Sequence, residues 1–364
     1  MVDLPLTEDF RSIVLNRTPL IDVRAPVEFA KGAFPHAVNL PLMDDEERHL
    51  VGIAYKQQGN AKAVELGHRL VSGALKEERI TAWLAFIEAY PDAMLYCFRG
   101  GQRSQIAQEW IARSGREIVR LKGGYKAFRN YLMAETERAV AEFRPLVLGG
   151  RTGSGKTILL KRLRHAVDLE GLANHRGSSF GRNLTPQPTL IDFENALAYN
   201  LIEKLHAGFG HLVFEDEGKS VGRLYLPQPL YKALSQAPMV LLETPTEERV
   251  EITFDEYVYR AQEMYGKLFP DNPLEKWAED MREAMHRISR RLGGLRYKKA
   301  VALFDDALKE QYRNGSYEAY KVWVAYLLHE YYDPMYDYQI EKNSDRVQFR
   351  GSFKEVEDYL SRYQ

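Results

Sequence analysis

The sequence predicts an α/β protein with two parallel-sheet domains and a helical extension at the carboxyl end. Short apolar segments alternate with helical patterns, and a glycine-rich loop stands between a strand and a helix in mid-chain. Beyond Thr246 the pattern is helical and charged, with no convincing strand. Such alternation favours parallel sheets, whose loops at the carboxyl ends of the strands carry the chemistry. We expect a first domain at 1–135, a second α/β domain at 136–250 that begins with a connector helix, and an associated helical region at 251–364.

Composition narrows the class of protein. A chain of 364 residues is too long for one typical core, and 45% hydrophobic with 28% charged residues is ordinary for a soluble globular protein. The start lacks a signal peptide, and no apolar run approaches the roughly 20 residues of a membrane span. The single cysteine excludes an intramolecular disulfide and a Cys-rich structural metal site. We therefore expect a cytoplasmic protein without a membrane partner, and a monomer needs the fewest assumptions.

The elements predicted for the first domain surround that cysteine. Strands are expected at 19–23, within 32–42, at 93–96 and at 117–121. Helical patterns begin at Asp44, break near Gly59, and continue over 61–89, 105–112 and 125–142. In the second domain, strands are expected at 145–148, 211–214 and 239–242. Cys97 therefore lies at the carboxyl end of a strand, where a parallel sheet hosts its chemistry.

The segment YCFRGGQRS, residues 96–104, predicts an anion-binding loop. Its two glycines free backbone N–H groups to turn inward, its serine opens a helix, and its two arginines supply positive charge. Such a loop would favour a thiolate and bind a tetrahedral anion beside it, with the thiol accessible at the mouth of a pocket. The expected catalytic residues are Cys97, Arg99 and Arg103, and the anion loop is completed by Gly100, Gly101 and Ser104.

The spacing alone leaves two chemistries open. Cys97, five intervening residues and Arg103-Ser104 satisfy the cysteine-phosphatase pattern, in which the arginine grips the phosphate that the thiolate attacks. The same loop suits a sulfurtransferase whose cysteine carries a persulfide or its selenium analogue. Phosphatases usually have a histidine before the cysteine, whereas Tyr96 stands here.

The segment GGRTGSGKT, residues 149–157, fits the P-loop pattern in full, with a strand before it and a helix after it. Its glycines let N–H groups converge on phosphate oxygens, and its lysine contributes a point charge. The pattern predicts binding of a di- or triphosphate, and it indicates ATP hydrolysis much less strongly, because any diphosphate ester fits the same cradle. The expected diphosphate-binding residues are Gly150, Gly153, Ser154, Gly155, Lys156 and Thr157.

A second acidic element accompanies this loop. The segment LVFEDE, residues 212–217, ends a strand in carboxylates, as a Walker B strand does. We expect Thr157 and Asp216 to hold Mg²⁺, with Glu215 as the alternative carboxylate, directly or through water. A plain alternative is an acidic strand end that faces solvent.

Further motifs identify the modules. The segments IDVRAPVEF (21–29), GAFPHAVNLP (32–41) and LKGG (121–124) resemble a rhodanese domain over roughly Leu4 to Tyr131. With the P-loop, DLEGLANHRGSSFG (168–181) and YYDPMYDYQ (331–339), the chain resembles the bacterial tRNA 2-selenouridine synthase family over essentially its whole length.

This resemblance implies a transferase acting on tRNA that carries 2-thiouridine at the wobble position. The family replaces the sulfur at C2 by selenium from selenophosphate, and it attaches a geranyl group to that sulfur from geranyl diphosphate. The P-loop with Mg²⁺ would then bind the diphosphate, and Cys97 would accept selenium as a selenylsulfide. No motif position departs from the family pattern.

Local basic clusters fit an RNA substrate despite a net charge of −1. Residues 281–300 hold seven basic against one acidic side chain. The clusters lie at 116–129, 151–182 and 281–300, and the expected tRNA-binding residues among them are Arg176, Arg182, Arg287, Arg290, Arg291, Arg296 and Lys298. Four tyrosines could stack on unpaired bases, although packing between helices is the favoured reading for Tyr331, Tyr332, Tyr336 and Tyr338.

Three other functions remain as alternatives. A P-loop small-molecule kinase or ATPase with an accessory rhodanese module would hydrolyse nucleotide without Cys97. A rhodanese-fold cysteine phosphatase would turn over phosphoesters without RNA. In a non-catalytic tRNA-binding adaptor, neither Cys97 nor Lys156 would affect any product.

Overall fold

A computed structural model describes residues 4–363. The chain divides into two compact units, each built from two stretches of sequence. The first unit comprises Met1–Ala141 and Pro188–Ala207, and the second comprises Glu142–Gln187 and Gly208–Gln364.

Secondary structure alternates along both units. The strands are β1 (Leu6–Thr7), β2 (Leu20–Asp22), β3 (Ala37–Asn39), β4 (Met94–Tyr96), β5 (Val119–Leu121), β6 (Arg144–Gly149), β7 (Ala166–Val167), β8 (His211–Glu215), β9 (Ser220–Val221), β10 (Leu224–Tyr225), β11 (Met239–Leu242) and β12 (Val347–Gly351). The helices are α1 (Phe10–Leu15), α2 (Pro26–Phe29), α3 (Asp45–Gln58), α4 (Asn60–Leu70), α5 (Gly73–Ala89), α6 (Gln102–Arg113), α7 (Gly124–Glu142), α8 (Lys156–Leu160), α9 (Leu169–Leu172), α10 (Leu190–His206), α11 (Gln228–Gln236), α12 (Thr246–Phe254), α13 (Arg260–Leu268), α14 (Pro273–Leu292), α15 (Gly294–Asn314), α16 (Tyr320–Leu327), α17 (Asp333–Lys342) and α18 (Phe353–Ser361). Two π-helical turns span Asp255–Tyr259 and Leu328–Tyr332, and a 3₁₀ turn spans Ser344–Arg346.

The first unit contains a five-stranded parallel sheet in the order β1-β5-β4-β2-β3. The residues of β2 are buried on both faces, as expected for a parallel strand covered by helices. The central position of β4 places its carboxyl end between those of β5 and β2. Residues that follow β4 and β5 are therefore neighbours.

Helix α10 packs against the first unit although its sequence lies beyond the P-loop. Ala198, Tyr199 and Ile202 are buried with Phe128 and Leu132 in one apolar cluster. The helix begins at a capping box, in which the Thr189 hydroxyl accepts from the amide of Asp192 at 3.1 Å. The sequence-based division placed this helix in the second domain, because its pattern shows that it is amphipathic but not which surface it covers.

Polar contacts secure the same helix. The backbone amide of Ala33 donates to Asp192 at 2.7 Å, and Asn195 donates to the carbonyl of Ala33 at 2.6 Å. Arg129 pairs with Glu194. Asp192 and Glu194, which carry no role in the sequence analysis, thus fasten α10 within the first unit.

The second unit contains another five-stranded parallel sheet, in the order β12-β11-β6-β8-β7. Strand β6 is central, and Leu148 near its end aligns with Glu215 at the end of β8. The loop after β6 and the carboxylates after β8 therefore meet at one edge of the sheet. Strands β9 and β10 form a separate antiparallel pair.

The carboxyl-terminal region is mainly helical, as expected, and its helices enclose an aromatic core. Trp277, Phe304, Tyr320 and Trp323 are fully or almost fully buried there. The expectation that no strand follows Thr246 is wrong, since β12 adds an edge strand parallel to β11. Five residues of alternating partial burial at an edge carry too short a pattern for recognition from sequence.

In the first unit, the predicted helical break near Gly59 separates α3 from α4, and Gly59 adopts a positive φ of 83°. A second break separates α4 from α5 at Val71-Ser72, directly before Gly73, a weak point of the helical pattern. No helix within residues 4–363 is long and apolar enough to cross a membrane.

Candidate active site

Cys97 follows β4 directly and precedes α6, as the sequence predicts. The loop between them lies against the Gly123-Gly124 turn that follows β5. The amide of Tyr125 donates to the carbonyl of Cys97 at 2.9 Å, and the amide of Lys126 donates to that of Phe98 at 2.9 Å. The cysteine loop is thereby held by backbone hydrogen bonds to the neighbouring strand end.

Glycines permit this close approach of two backbones. Gly100 and Gly124 have φ values of 62° and 57°, in the left-handed region. A Cβ on Gly100 would lie 2.8 Å from the amide nitrogen of Gly123, and one on Gly124 would collide with the carbonyl of Cys97. Only glycine therefore fits at either position without moving the loop.

The loop also presents free backbone donors. Within residues 4–363, the amide groups of 99–104 donate no hydrogen bond to protein atoms. The twelve-residue helix α6 begins among these amides, and the positive end of its dipole adds to them. Unpaired amides beside a thiol form a site for a small oxyanion.

The thiol itself is more buried than expected. Cys97 is 3% exposed, and its Sγ lies 3.1 Å from the Ser104 hydroxyl and 3.9 Å from the carbonyl of Gly101. Its side chain packs in a cluster with Leu42, Trp110 and other apolar residues. The expectation of a thiol open at the mouth of a pocket does not hold in this conformation, because the loop folds over the sulfur. Reaction at Sγ requires the loop or its neighbours to move.

The two predicted arginines differ in their surroundings. Arg99 is exposed and makes no ion pair within residues 4–363. Arg103 donates to both carboxylate oxygens of Glu28, at 2.5 and 3.3 Å, and Arg48 binds the same carboxylate at 2.9 Å. Despite the opposing effect of burial, these two guanidinium groups hold the pKa of Glu28 below its ordinary value. An anion that recruits Arg103 must compete with Glu28.

Arg120 is a further cation at the loop, which the sequence places only within the basic cluster 116–129 expected near RNA. It donates to the carbonyl of Gly100, and its Nε donates to Gln108 at 3.0 Å. Burial lowers the pKa of Arg120 from its ordinary value. Its contact with the loop follows from its position at the centre of β5, the strand that neighbours β4.

The P-loop follows β6 and has the geometry of a phosphate cradle. Gly150, Gly153 and Gly155 adopt φ values of 150°, 78° and 87°. Within residues 4–363, the amides of Gly153, Gly155, Lys156 and Thr157 have no hydrogen-bond acceptor. Helix α8 spans only five residues, so the loop amides provide most of the anion site. The Lys156 ammonium donates to the carbonyls of Gly150 and Arg151, at 2.9 and 3.3 Å.

Three carboxylates converge beside this loop. Carboxylate oxygens of Glu170, Glu215 and Glu217 lie within 4.8 Å of one another. The Thr157 hydroxyl donates to Glu215 at 2.8 Å, whereas the other oxygen of Glu215 is buried without a partner. Burial and the nearby Glu170 raise the pKa of Glu215 to about 8. Burial, Glu170 and Glu215 raise the pKa of Glu217 to about 9.

Glu215, the alternative carboxylate of the sequence analysis, is thus the one that Thr157 contacts. Asp216 lies outside the trio, although it lines a cavity of about 460 Å³ together with Glu215 and Glu217. Burial raises the pKa of Asp216 as well. Strand β8 ends at Glu215, and the amide of Glu217 donates back to the carbonyl of Glu215 at 2.9 Å, so the two carboxylates converge across a tight turn.

Comparison with known proteins agrees with both loops. The model of the tRNA 2-selenouridine synthase AAA domain matches residues 143–364, and that of the rhodanese-like domain matches residues 8–131. A protein from Sulfurovum sp. (strain NBC37-1), named tRNA 2-selenouridine synthase, is 72% identical over 100% of both chains. A relative of the same name from Hydrogenovibrio crunogenus is 52% identical over 98% of this chain and 99% of its own.

The chain belongs to the tRNA 2-selenouridine synthase family. The predicted fold class, with a rhodanese-like parallel-sheet domain, a P-loop α/β domain and a helical carboxyl-terminal region, is confirmed. Members of this family are transferases that modify tRNA, so the expectation of an enzyme is confirmed as well.

The YYDPMYD motif of this synthase family braces the P-loop, a role absent from the sequence analysis. Arg249 is 1% exposed and donates to the carbonyl of Thr152 at 2.9 Å. It also forms a bidentate ion pair with Asp333, at 2.5 and 3.1 Å. Arg151 pairs with Asp337 at 2.7 Å on the surface. Both aspartates come from α17, so this helix fixes the shape of the phosphate loop.

The seven expected tRNA-binding residues fall into two groups. Those with acidic or backbone partners are Arg176 with Glu256 at 2.7 Å, Arg287 with the carbonyl of Ser179 at 3.2 Å, and Arg296 with Glu330 at 2.7 Å. Those exposed without an ion pair in the described part of the chain are Arg182, Arg290, Arg291 and Lys298. Arg290, Arg291 and Lys298 surround the α14–α15 turn, where Leu295 is 86% exposed.

The tyrosines of the same motif mostly pack inside the protein. Tyr331 and Tyr332 are 7% and 5% exposed and contact each other edge to face. Tyr336 is partly buried against the same core, and its ring centroid lies 5.6 Å from the Lys156 ammonium. Only Tyr338 among the four is well exposed, at 62%. Packing between helices, the favoured interpretation, accounts for Tyr331 and Tyr332.

Proposed function

We propose that this chain is a tRNA 2-selenouridine synthase, which replaces the sulfur of wobble 2-thiouridine in tRNA by selenium from selenophosphate. The observation that carries the proposal is the presence of two oxyanion cradles, one beside a cysteine and one in a P-loop, each with backbone amides left without acceptors. Full-length relatives of the same name support it. Each cradle serves one chemical step.

The first step in this proposal is S-geranylation at the P-loop. The free amides of Gly153, Gly155, Lys156 and Thr157 and the Lys156 ammonium bind the diphosphate of geranyl diphosphate. The thiouridine sulfur forms a bond to C1 of the geranyl chain while the C1–O bond breaks, and diphosphate leaves with the electron pair. Preorganised donors stabilise the charge that develops on this leaving group.

The residues beside the loop fit a Mg²⁺ ion. Thr157 and Glu215 would hold it, because a buried carboxylate oxygen without a partner lies next to the hydroxyl that a P-loop uses for this purpose. Three converging carboxylates at 4.8 Å or less also match the oxygen ligands that the ion prefers. When bound, Mg²⁺ neutralises charge on the diphosphate.

The second step is selenium transfer at the cysteine loop. Cys97 attacks the selenium of selenophosphate, the Se–P bond breaks with its electron pair on phosphorus, and phosphite leaves from the anion loop. The resulting selenylsulfide attacks C2 through selenium and expels the geranyl thiolate. Two equivalents of a small-molecule thiol then reduce the Se–S bond and leave as their disulfide, which frees the selenouridine and Cys97. Alkylation makes the sulfur a better leaving group, and for this reason the two steps form a sequence.

The products reveal how Cys97 acts. Phosphite, detected by ³¹P NMR, is the product expected from the selenylsulfide. If phosphate alone forms, selenium has instead attacked C2 while still bound to phosphorus, and Cys97 is not the carrier. The assay uses wild-type protein, tRNA with wobble 2-thiouridine, geranyl diphosphate, selenophosphate and a thiol, and it also measures the nucleosides by mass spectrometry. Selenouridine is the expected product in the tRNA. If folded protein forms none in this assay, the proposed function is contradicted.

A further inference from the structure

An apolar cavity of about 530 Å³ lies beside the cysteine loop, within the first unit. Its walls are the α3–α4 hairpin, the segment before α3, and one face of α6. Gln102 and Arg103, in the first turn of α6, belong to its lining. The helix that begins at the predicted selenium site is therefore also a wall of this cavity.

The cavity and the thiol share side chains. Leu42, Met43, Val71 and Trp110 line the cavity and pack in the same apolar cluster as Cys97. The sulfur and the cavity are thus bordered by the same apolar cluster. Movement of these shared side chains, since access to the thiol requires movement in any case, would connect the two.

The lining has a distinct chemical character. Its interior is aliphatic and aromatic, formed by Val51, Ile53, Val64, Ile106 and the residues shared with the thiol. The charged members are Arg48, Lys56 and Arg103, and no acidic side chain occurs in the lining that the structure describes. Such a site suits a ligand with an apolar chain attached to an anionic group, because ligand pockets combine an apolar lining with a few charged groups that fix orientation.

We infer that this cavity binds the ten-carbon chain of S-geranyl-2-thiouridine during selenium transfer. The inference rests on the proposed function, in which C2 of the alkylated nucleotide must reach Cys97. The geranyl sulfur is bonded to C2, so its chain must lie within a few ångströms of the thiol. With about 30 Å³ for each carbon, the volume share of a water molecule, the chain occupies roughly 300 Å³ and fits the cavity.

The basic rim accounts for the rest of the nucleotide. Arg48, which pairs with Glu28, and Lys56 are exposed members of the lining that would meet the phosphates next to the modified base. Phosphate contacts orient a nucleic acid without reading its sequence. The same burial of an alkyl chain favours departure of the geranyl thiolate, since the leaving group passes into an apolar site rather than water. An unalkylated thiouridine would leave the cavity empty.

Kinetics with two substrates test this assignment. The substrates are anticodon stem-loop RNAs that carry S-geranyl- or S-methyl-2-thiouridine, and the reaction is selenation with selenophosphate. The KM of wild-type protein for the geranyl substrate is expected to be at least about tenfold lower, because nine additional carbons are buried. Val64→Trp, which fills the cavity, is expected to abolish this preference by raising the geranyl KM while the methyl KM stays unchanged.

Two further variants test whether the loss of the geranyl preference is specific to the cavity. Ile53→Glu places a carboxylate in the lining at a residue that is already 38% exposed, so folding tolerates it, and it should also remove the geranyl preference. Arg69→Trp, exposed on the same helix α4 and outside the lining, should retain the preference. Equal KM values for both RNAs in wild type, or equal loss for both RNAs in the two cavity variants, would overturn the inference.

A binding measurement separates this inference from the proposed function. S-geranyl-2-thiouridine 5′-monophosphate is titrated into wild type and Val64→Trp, with the S-methyl nucleotide as the comparison and calorimetry as the readout. Tighter binding of the geranyl nucleotide to wild type alone supports the cavity even if no selenation occurs, in which case only the proposed function fails. Equal affinities of both nucleotides for wild type reject the cavity even if selenation proceeds.

Discussion

The ion pair between Glu28 and Arg103 controls the charge at the cysteine loop. The substitution Glu28→Gln keeps the shape of the side chain and removes its charge. Arg103 then loses the carboxylate to which it donates at 2.5 and 3.3 Å. We expect the protein to become less stable and the loop to bind anions more tightly, because the guanidinium no longer has a competing partner.

The expected magnitudes of the loss of stability and of the gain in anion affinity follow from the burial of the Glu28–Arg103 ion pair. The side chains of Arg103 and Glu28 are 25% and 13% exposed, so water screens the pair only in part. Hydrogen bonds to charged groups contribute about 1.5–3 kcal/mol, and partial exposure reduces the expected loss of unfolding free energy to about 1–2 kcal/mol. An anion that recruits Arg103 must break the same pair in the wild type. Its affinity should therefore rise about five- to thirtyfold in the variant.

The effect on stability should depend on pH in a defined direction. Because the two arginines hold the pKa of Glu28 below 4.5, the folded state binds fewer protons at this site than the unfolded chain. The stabilisation from ionised Glu28 is thus present above the unfolded pKa and is lost as the pH falls through the folded pKa. The difference between wild type and Glu28→Gln should be constant near neutrality and shrink in acid.

Calorimetric titration with phosphate and urea denaturation measure the two effects. Glu65→Gln is the matched control, since Glu65 pairs with Lys62 at 2.7 Å on the exposed surface of α4 and should leave phosphate affinity unchanged. A fall in phosphate affinity of Glu28→Gln would show that Glu28 orients Arg103 for the anion. That result, or an unchanged affinity, would refute the competition argued from the structure.

Three other substitutions test the remaining parts of the account. Gly124→Ala should destabilise the protein by more than about 3 kcal/mol in urea, because its Cβ meets the cysteine loop, whereas Gly115→Ala, with open space around it, should cost only about 1–2 kcal/mol for its φ of 81°. Asp333→Asn leaves Arg249 buried without its counter-charge and should cost about 3–5 kcal/mol, whereas Asp337→Asn at the exposed pair should cost at most about 1 kcal/mol. Arg290→Glu should weaken tRNA binding whatever the RNA sequence, and it should lower the slope of log binding constant against log salt concentration by about one. Lys309→Glu, at a residue paired with Asp306 outside the basic clusters, should change this slope less. Equal effects within any of these pairs would contradict the assigned role.

The sequence was sufficient for the features that depend on local pattern. Strand, glycine loop and helix follow one another at Cys97 and at Gly150 to Thr157, and local spacing alone indicated both anion sites. The carboxylate beside Thr157 was less certain, because Glu215 and Asp216 are adjacent. The contact with Thr157 depends on β8 ending at Glu215, which the sequence does not show.

The features that escaped prediction depend on contacts between distant segments. Arg120, Arg249 and Asp333 act on loops far from them in sequence, and neither the basic cluster around Arg120 nor the motif around Asp333 indicates that role. The apolar face of helix α10 packs within the first unit, and the helical periodicity of its sequence does not show which surface that face contacts. The burial of Cys97 likewise follows from the packing of α6 and the segment before α3 over the loop.

The central claim is that the P-loop carries out geranylation and the cysteine loop carries out selenium transfer. Two variants and one added substrate test it most directly. Cys97→Ser and Lys156→Ala are incubated with tRNA, geranyl diphosphate, selenophosphate and a thiol, and the nucleosides are measured by mass spectrometry. Cys97→Ser should accumulate S-geranyl-2-thiouridine without selenouridine. Lys156→Ala should leave 2-thiouridine unmodified, yet form selenouridine when the tRNA is supplied already geranylated. Loss of both products in Cys97→Ser, or failure of geranylated tRNA to restore selenation in folded Lys156→Ala, would contradict two sites that act in sequence.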